Sequence, residues 1–281
     1  MILANTTAYA SYSSTSLLLG VGAALAYVVP SVAASRMSAR ATRWLLWCAW
    51  GLHGSAVLWS LLGLSVNEVP RFGFAPALSI TAWLVLTVYA IESHMYPKLQ
   101  AVWAFAGLGA LAVLLALVFP GQALHSAASP WLPLHWALGL ASYGLFAAAV
   151  VHAWLMMRAE KQIRLSPGMS SHTQSGLPLL TLERLTFRFV LAGFVLLTAT
   201  LLAGWWFSEV LYGLGKAWKW DHKTIFSVLA WVAFAVLLVG RAKFGWRGRT
   251  AVRVLYAGSG LLLLAYVGSR FVLEVVLGRS L

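Results

Sequence analysis

The chain has 281 residues, of which 61% are apolar and 10% charged, with a mean hydropathy of +0.82. Soluble domains carry about 25% charged residues, and apolar runs of about 20 residues cross a bilayer as helices, so this composition excludes a sizeable soluble domain and describes a polytopic membrane protein. The formal charge of +13 follows the membrane loops and does not mark a nucleic-acid face, and the single cysteine, Cys48, excludes both an internal disulfide and a C-x-x-C redox centre.

Met1–Ser16 is polar and carries no Lys or Arg. The first apolar run is Leu17–Ala34; its Val32–Ser35 end has a faint signal-peptidase pattern, but no basic segment precedes it. Arg36, Arg40 and Arg43 follow at once, which marks a retained helix whose far end is cytoplasmic. Further spans are expected at Trp44–Leu64, Phe74–Ile91, Leu99–Phe119, Trp131–Met157, Phe187–Tyr212, Thr224–Gly240 and Val252–Val276, eight in all. The expected fold is an all-α bundle of eight transmembrane helices in one integral membrane domain, 1–281.

With both termini outside, fourteen of the twenty Lys and Arg residues fall on the cytoplasmic side. Arg71, Lys216, Lys219, Lys223 and Arg279 fall outside, and this asymmetry orients the chain N-out and C-out. The longest cytoplasmic loop, Arg158–Glu183, is rich in Ser, Gly and Pro near its centre and is expected to be a flexible connector. No internal repeat is visible, which sets the chain apart from inverted-repeat transporters.

Chemistry concentrates in Lys216–Trp231, KAWKWDHKTIFSVLAW. Trp218 and Trp220 suit the membrane–water interface; a carboxylate there, Asp221, needs a partner; and His222 can ligate a metal. Together they form a candidate site for a flat, anionic, iron-bearing ligand such as haem. The competing reading makes the tryptophans belt residues and Asp221 a helix cap.

His135 opens the fifth span and His222 the seventh, both at the outer surface, so two imidazoles can reach one plane beside the indoles. His53 lies near mid-depth of the second span, where an ionisable group marks a functional position. Gly51 and Gly54 beside it permit close approach of a helix or a planar ligand. For His53 the alternative is an imidazole bridging two helices by hydrogen bonds. Ser142 shares the His135 face and Tyr143 lies a quarter-turn away, both read as packing residues. Arg270, Glu274 and Glu209 are expected to form a structural ion pair near the outer ends. No phosphate loop, H-E-x-x-H helix or nucleophile elbow is present, nor an acidic residue at mid-span.

LERLTFRFVLAGFVLLTATLLAGWW, KAWKWDHKTIFSVLAWVAFAVLL and GWRG, with HWALGLASY and GLHGSAVLW, resemble the cytochrome c assembly proteins of the CcsA/CcmC type. The resemblance covers roughly Leu52 to Arg270 and leans to the short YpjD-like inner-membrane branch. Its specific elements are Trp218, Trp220, Asp221 and Lys223 in W-x-W-D-x-K, and the LERLTFR lead-in. The resemblance implies a multi-pass protein of the bacterial inner membrane that binds b-type haem non-covalently and presents it at the outer face, with apocytochrome c or another assembly subunit as partner. It makes His135 an outer axial ligand, Trp218, Trp220 and Asp221 the haem loop, and His53 a membrane histidine. The chain departs from the pattern in a short loop, in His222 where a proline is usual, in Arg241 where a histidine often closes the next span, and in lacking the late outer histidine. A second axial ligand then comes from His222 or His125.

The function expected is haem delivery or presentation during cytochrome c biogenesis, without stand-alone catalysis. The alternative is a non-enzymatic subunit that keeps the fold and supports a partner such as a transporter.

Overall fold

The computed structural model describes residues 14–33, 36–62, 71–95, 102–123, 131–165, 179–206 and 220–277. Helix α1 spans Ser14–Ala33, α2 Ala39–Leu62, α3 Phe74–Met95, α4 Val102–Val118, α5 Trp131–Leu165, α6 Leu179–Trp206, α7 His222–Phe244 and α8 Gly248–Leu263. Helix α8 runs on through π-helical turns at Leu264–Gly268 and Val272–Val276, with Ser269–Phe271 α-helical between them. Among the described residues the fold is all-α apart from one two-stranded clip. Among the described residues seven helices are long and apolar enough to cross a membrane, and the apolar part of α4, Ala106–Val118, is shorter than these.

Two helices reach further than expected. Helix α5 continues past Met157 to Leu165, with Glu160 and Arg164 pairing one turn apart on its polar end. At 1.5 Å per residue its 35 residues run about 52 Å, well past a hydrocarbon core of about 30 Å. Helix α6 begins at Leu179, ahead of the expected Phe187. Both ends of the expected connector Arg158–Glu183 are therefore helical, and only 166–178 lie outside the described residues.

Helix α1 packs on α2 and α4, α3 on α2, α4 and α5, α5 on α6 and α8, and α7 on α6 and α8. Small residues let the backbones close in, as expected where lipid supplies no hydrophobic drive for helix association. A Cβ on Gly193 of α6 would stand 3.1 Å from the Phe146 ring of α5, and one on Gly258 of α8 2.8 Å from the Phe234 ring of α7. Between these glycines Phe146 and Phe234 stack with centroids 3.7 Å apart, the centre of the α5–α8 half. In the other half, Trp83 of α3 stacks on Trp50 of α2 and donates its indole N–H to the Trp50 carbonyl at 3.0 Å. Trp50 in turn donates to Thr87 Oγ1 at 2.9 Å.

At one end of the bundle Arg71–Phe72 (β1) pairs antiparallel with Gln122–Ala123 (β2), tying the entry to α3 to the exit from α4. Gly121 makes that clip possible. Its φ of 76° is left-handed, and a Cβ there would meet the Phe72 carbonyl at 2.6 Å.

Candidate functional site

Helix register places the proposed site residues. Trp231 of α7 donates its indole N–H to Thr198 Oγ1 of α6 at 2.9 Å, and further along the same antiparallel pair Arg241 meets Glu183. The first turn of α7 therefore lies level with the last turn of α6, Trp205 and Trp206. Helix α5 is antiparallel to α6 on another side: His152 faces Phe189 with ring centroids 5.2 Å apart, Phe146 lies against Gly193 and Gly139 against Thr200. That register carries His135 to the same end. His135, Trp220, Asp221 and His222 thus share one end of the bundle with the indoles of Trp205 and Trp206, which are 59% and 76% exposed and set edge to face.

Within that end the residues are differently engaged. Asp221 is the N-cap of α7: its backbone is extended, and Oδ1 accepts from the Thr224 N–H at 2.9 Å. A capping carboxylate satisfies one of the orphan donors of the first turn. Asp221→Ala is expected to lower the helicity of the first turn and cost about 1 kcal/mol of stability, read by amide hydrogen exchange at Thr224 and Ile225. Trp220 is 68% exposed, His222 is exposed, and Lys223 is half-buried. Trp218, Lys216, Lys219, His125 and Glu209 lie outside the described residues, as does the side chain of Glu274, so the expected Arg270–Glu274–Glu209 pairing does too. The Arg270 guanidinium sits 5.9 Å from the Tyr266 ring centroid.

His135 is half-buried, with its ring directed to the Thr200 backbone of α6. Its Nδ1 is shut off from solvent and has no hydrogen-bond partner among the described residues. One face of α5 continues from it through Gly139 and Ser142 to Phe146; the Ser142 Oγ on this face is also buried and unpaired among the described residues. Tyr143 donates its hydroxyl to the Leu262 carbonyl just before the π-helical turn of α8. Beside His135, Trp136 stacks on Phe72 of β1 with centroids 5.2 Å apart. Neither hydrogen bond nor ring contact joins His135 to His222, and among the described residues no three His, Cys, Asp or Glu side chains gather as a metal site.

His53 is 1% exposed and sits among α1, α2 and α3. Its Nε2 lies 2.8 Å from Ser79 Oγ and its Nδ1 3.4 Å from the Tyr27 hydroxyl. Both ring nitrogens thus have hydroxyl partners that can donate or accept, the helix-bridging arrangement open to it from sequence.

Sequence reasoning missed a second buried imidazole. His152 of α5 places Nε2 2.9 Å from Glu92 Oε2 of α3 and Nδ1 2.8 Å from the Ala148 carbonyl, with both side chains buried. Glu92 Oε1 is buried without a partner among the described residues. The pair is 60 positions apart in sequence, so no local pattern could announce it. The exposed indoles at the end of α6 were visible as G-W-W, but only the α5–α6–α7 register brings them level with His135.

The chain matches the Cytochrome C assembly protein family over residues 39–277. It is 31% identical to the inner membrane protein YpjD of Escherichia coli K12 over 215 residues, 76% of this chain and 78% of that protein. It is 35% identical to the cytochrome c biogenesis protein CcsA of Prochlorococcus marinus over 91 residues, 32% of this chain and 28% of that one. No solved structure matches it. With seven helices among the described residues long and apolar enough to cross a membrane, and a family match running over most of its length, this chain is a member of the cytochrome c assembly protein family.

Proposed function

We propose that this protein binds b-type haem non-covalently at the outer face of the bacterial inner membrane and delivers or presents it during cytochrome c biogenesis. In this reading α4 counts as an eighth span, both termini face outward, and the end carrying His135 and His222 is extracytoplasmic, with apocytochrome c or an assembly subunit as partner. Support comes from the family match and from the inner-membrane relative. The observation that carries the reading is His135 Nδ1, an imidazole nitrogen held out of water with no partner among the described residues. Such a nitrogen costs free energy unless a ligand takes it.

Bound haem supplies an iron with axial positions to fill and a broad apolar ring edged by two carboxylates. On the protein side, His135 would hold the iron, with His222 the candidate for a second ligand. Trp218 and Trp220 offer stacking faces, and Lys216, Lys219 and Lys223 offer charge to the propionates. Asp221 acts by capping: it fixes the first turn of α7 and so the placement of His222 and Trp220. His53, the membrane histidine, could take iron only by releasing Ser79 or Tyr27. These groups bind and orient; none is arranged to make bonds.

The test is the visible spectrum and pyridine haemochrome of protein purified from haem-replete cells. A Soret band is expected in the parent chain and in Ser142→Ala, and its loss in His135→Ala. A colourless parent protein would instead support the second reading, a subunit that keeps the fold and serves a partner. That reading is favoured by Asp221 being spent on the cap and by both nitrogens of His53 being satisfied internally.

A further inference from the structure

The opposite end of α6, α7 and α8 carries a dense group of cations. Glu183 binds Arg241, which also lies over the Phe187 ring with 3.9 Å from guanidinium carbon to ring centroid, and it receives Arg247 at 3.5 Å. These contacts pull three helix ends together around the short turn from Gly245 to Arg247. Arg184, Arg188, Lys243, Arg249 and Arg253 surround them, all exposed and without an acidic partner among the described residues. Unpaired charge alone is common at the ends of membrane helices. The arrangement below the charge is what singles this end out.

Each of the three helices presents one continuous outward stripe at i, i+4, i+7 spacing. On α6 it runs Arg184, Arg188, Leu191, Val195; on α7 it runs from Lys243 back through Val239, Val236 and Val232; on α8 it runs Arg249, Arg253, Tyr256 and on to Leu263. Every one of these residues is exposed. On all three helices, then, cations stand at the rim and lead into exposed apolar side chains. A soluble polyanion would match the rim and leave the stripes uncovered. A molecule with an anionic head and apolar chains matches both.

We infer that the α6–α7–α8 end binds anionic phospholipids of the adjoining leaflet, with the phosphate held by Arg184, Arg188, Lys243, Arg249 and Arg253 and the acyl chains laid along the three stripes. Arginine and lysine stems lie along apolar surface while their heads reach the phosphate layer, and basic groups at the ends of membrane helices recruit anionic headgroups. Arg241 and Arg247 are not part of the lipid contact; they hold the helix ends in place through Glu183. The inference does not depend on haem binding.

The test uses the full-length protein in vesicles of phosphatidylglycerol and phosphatidylcholine in equal amounts, followed by native mass spectrometry of the lipids it retains. The parent chain is expected to retain phosphatidylglycerol over phosphatidylcholine on the order of tenfold. The preference should vanish in Arg184→Gln/Arg188→Gln/Arg249→Gln/Arg253→Gln and survive when the same four positions carry Lys. If the fourfold Gln variant fails to fold, Arg249→Gln/Arg253→Gln alone should lose part of the preference. Equal retention of the two lipids by the parent chain, or an undiminished preference in either Gln variant, overturns the proposal. So does abolition of the parent preference by millimolar glycerol phosphate, which would identify a site for a free phosphate.

Discussion

Replacing His152 by alanine is expected to cost about 3–5 kcal/mol of stability, among the largest losses available to one substitution in this chain. The reason lies in the hydrogen-bond arithmetic of the pair. The Ala148 carbonyl can only accept, so Nδ1 of His152 carries a proton and donates it across 2.8 Å. A contact of 2.9 Å between Nε2 and Glu92 Oε2 then needs one more proton, held by one atom or the other. Either way the pair is neutral as a unit. Without the imidazole, a carboxylate at a buried α3–α5 contact loses its remaining partner, since Oε1 has none among the described residues. Glu92→Gln should be far milder, because its amide N–H can donate to Nε2. The double change Glu92→Leu/His152→Leu should recover most of the loss, since a well-packed apolar pair often replaces a buried ionic one without penalty. A reversible unfolding titration in mixed micelles, run on all three variants, decides the matter. Parent-like stability in His152→Ala would mean that the pair contributes no coupling between α3 and α5.

A comparable loss, about 3–5 kcal/mol, is expected for Phe234→Ala. Phe234 is fully buried, stacked on Phe146 of α5 and pressed against Gly258 of α8. Lipid cannot enter a gap enclosed by three helices, so the vacated space leaves its lining without dispersion partners. The functional consequence travels upward. The Phe146–Phe234 stack helps set the common register of α5 and α7, and that register brings His135 and His222 to one level. A weaker Soret band in Phe234→Ala at wild-type expression, with midpoint shifts in the same unfolding titration, would report both effects. Unchanged stability would show that the neighbouring helices close the gap.

Much of this was legible one helix at a time. Apolar runs found the bundle, and W-x-W-D-x-K with LERLTFR found the family, because both signals are local. Asp221 could be read as an N-cap because capping acts over three residues, and the structure bears that out in the Thr224 contact. The depth of His53 was evident from its place in an apolar run, but its partners were not: Tyr27 and Ser79 each lie 26 positions away, on separate helices. The Glu92–His152 pair was hidden for the same reason. The helical stretch Arg158–Leu165 escaped because its charges mark the membrane exit, and exit from lipid does not end a helix when i,i+4 pairs such as Glu160–Arg164 support it. The shared level of His135, Trp205 and His222 depends on how α5 and α7 slide against α6, which glycine and aromatic contacts decide and no single segment encodes.

The length of α5 joins the two ends of the bundle mechanically. It is one unbroken helix from the end that carries His135 to the charged overhang at Arg158–Leu165. A rod of this kind passes tilt from tip to tip, so a protein gripping the overhang would have leverage on the imidazole at the far end of the bundle.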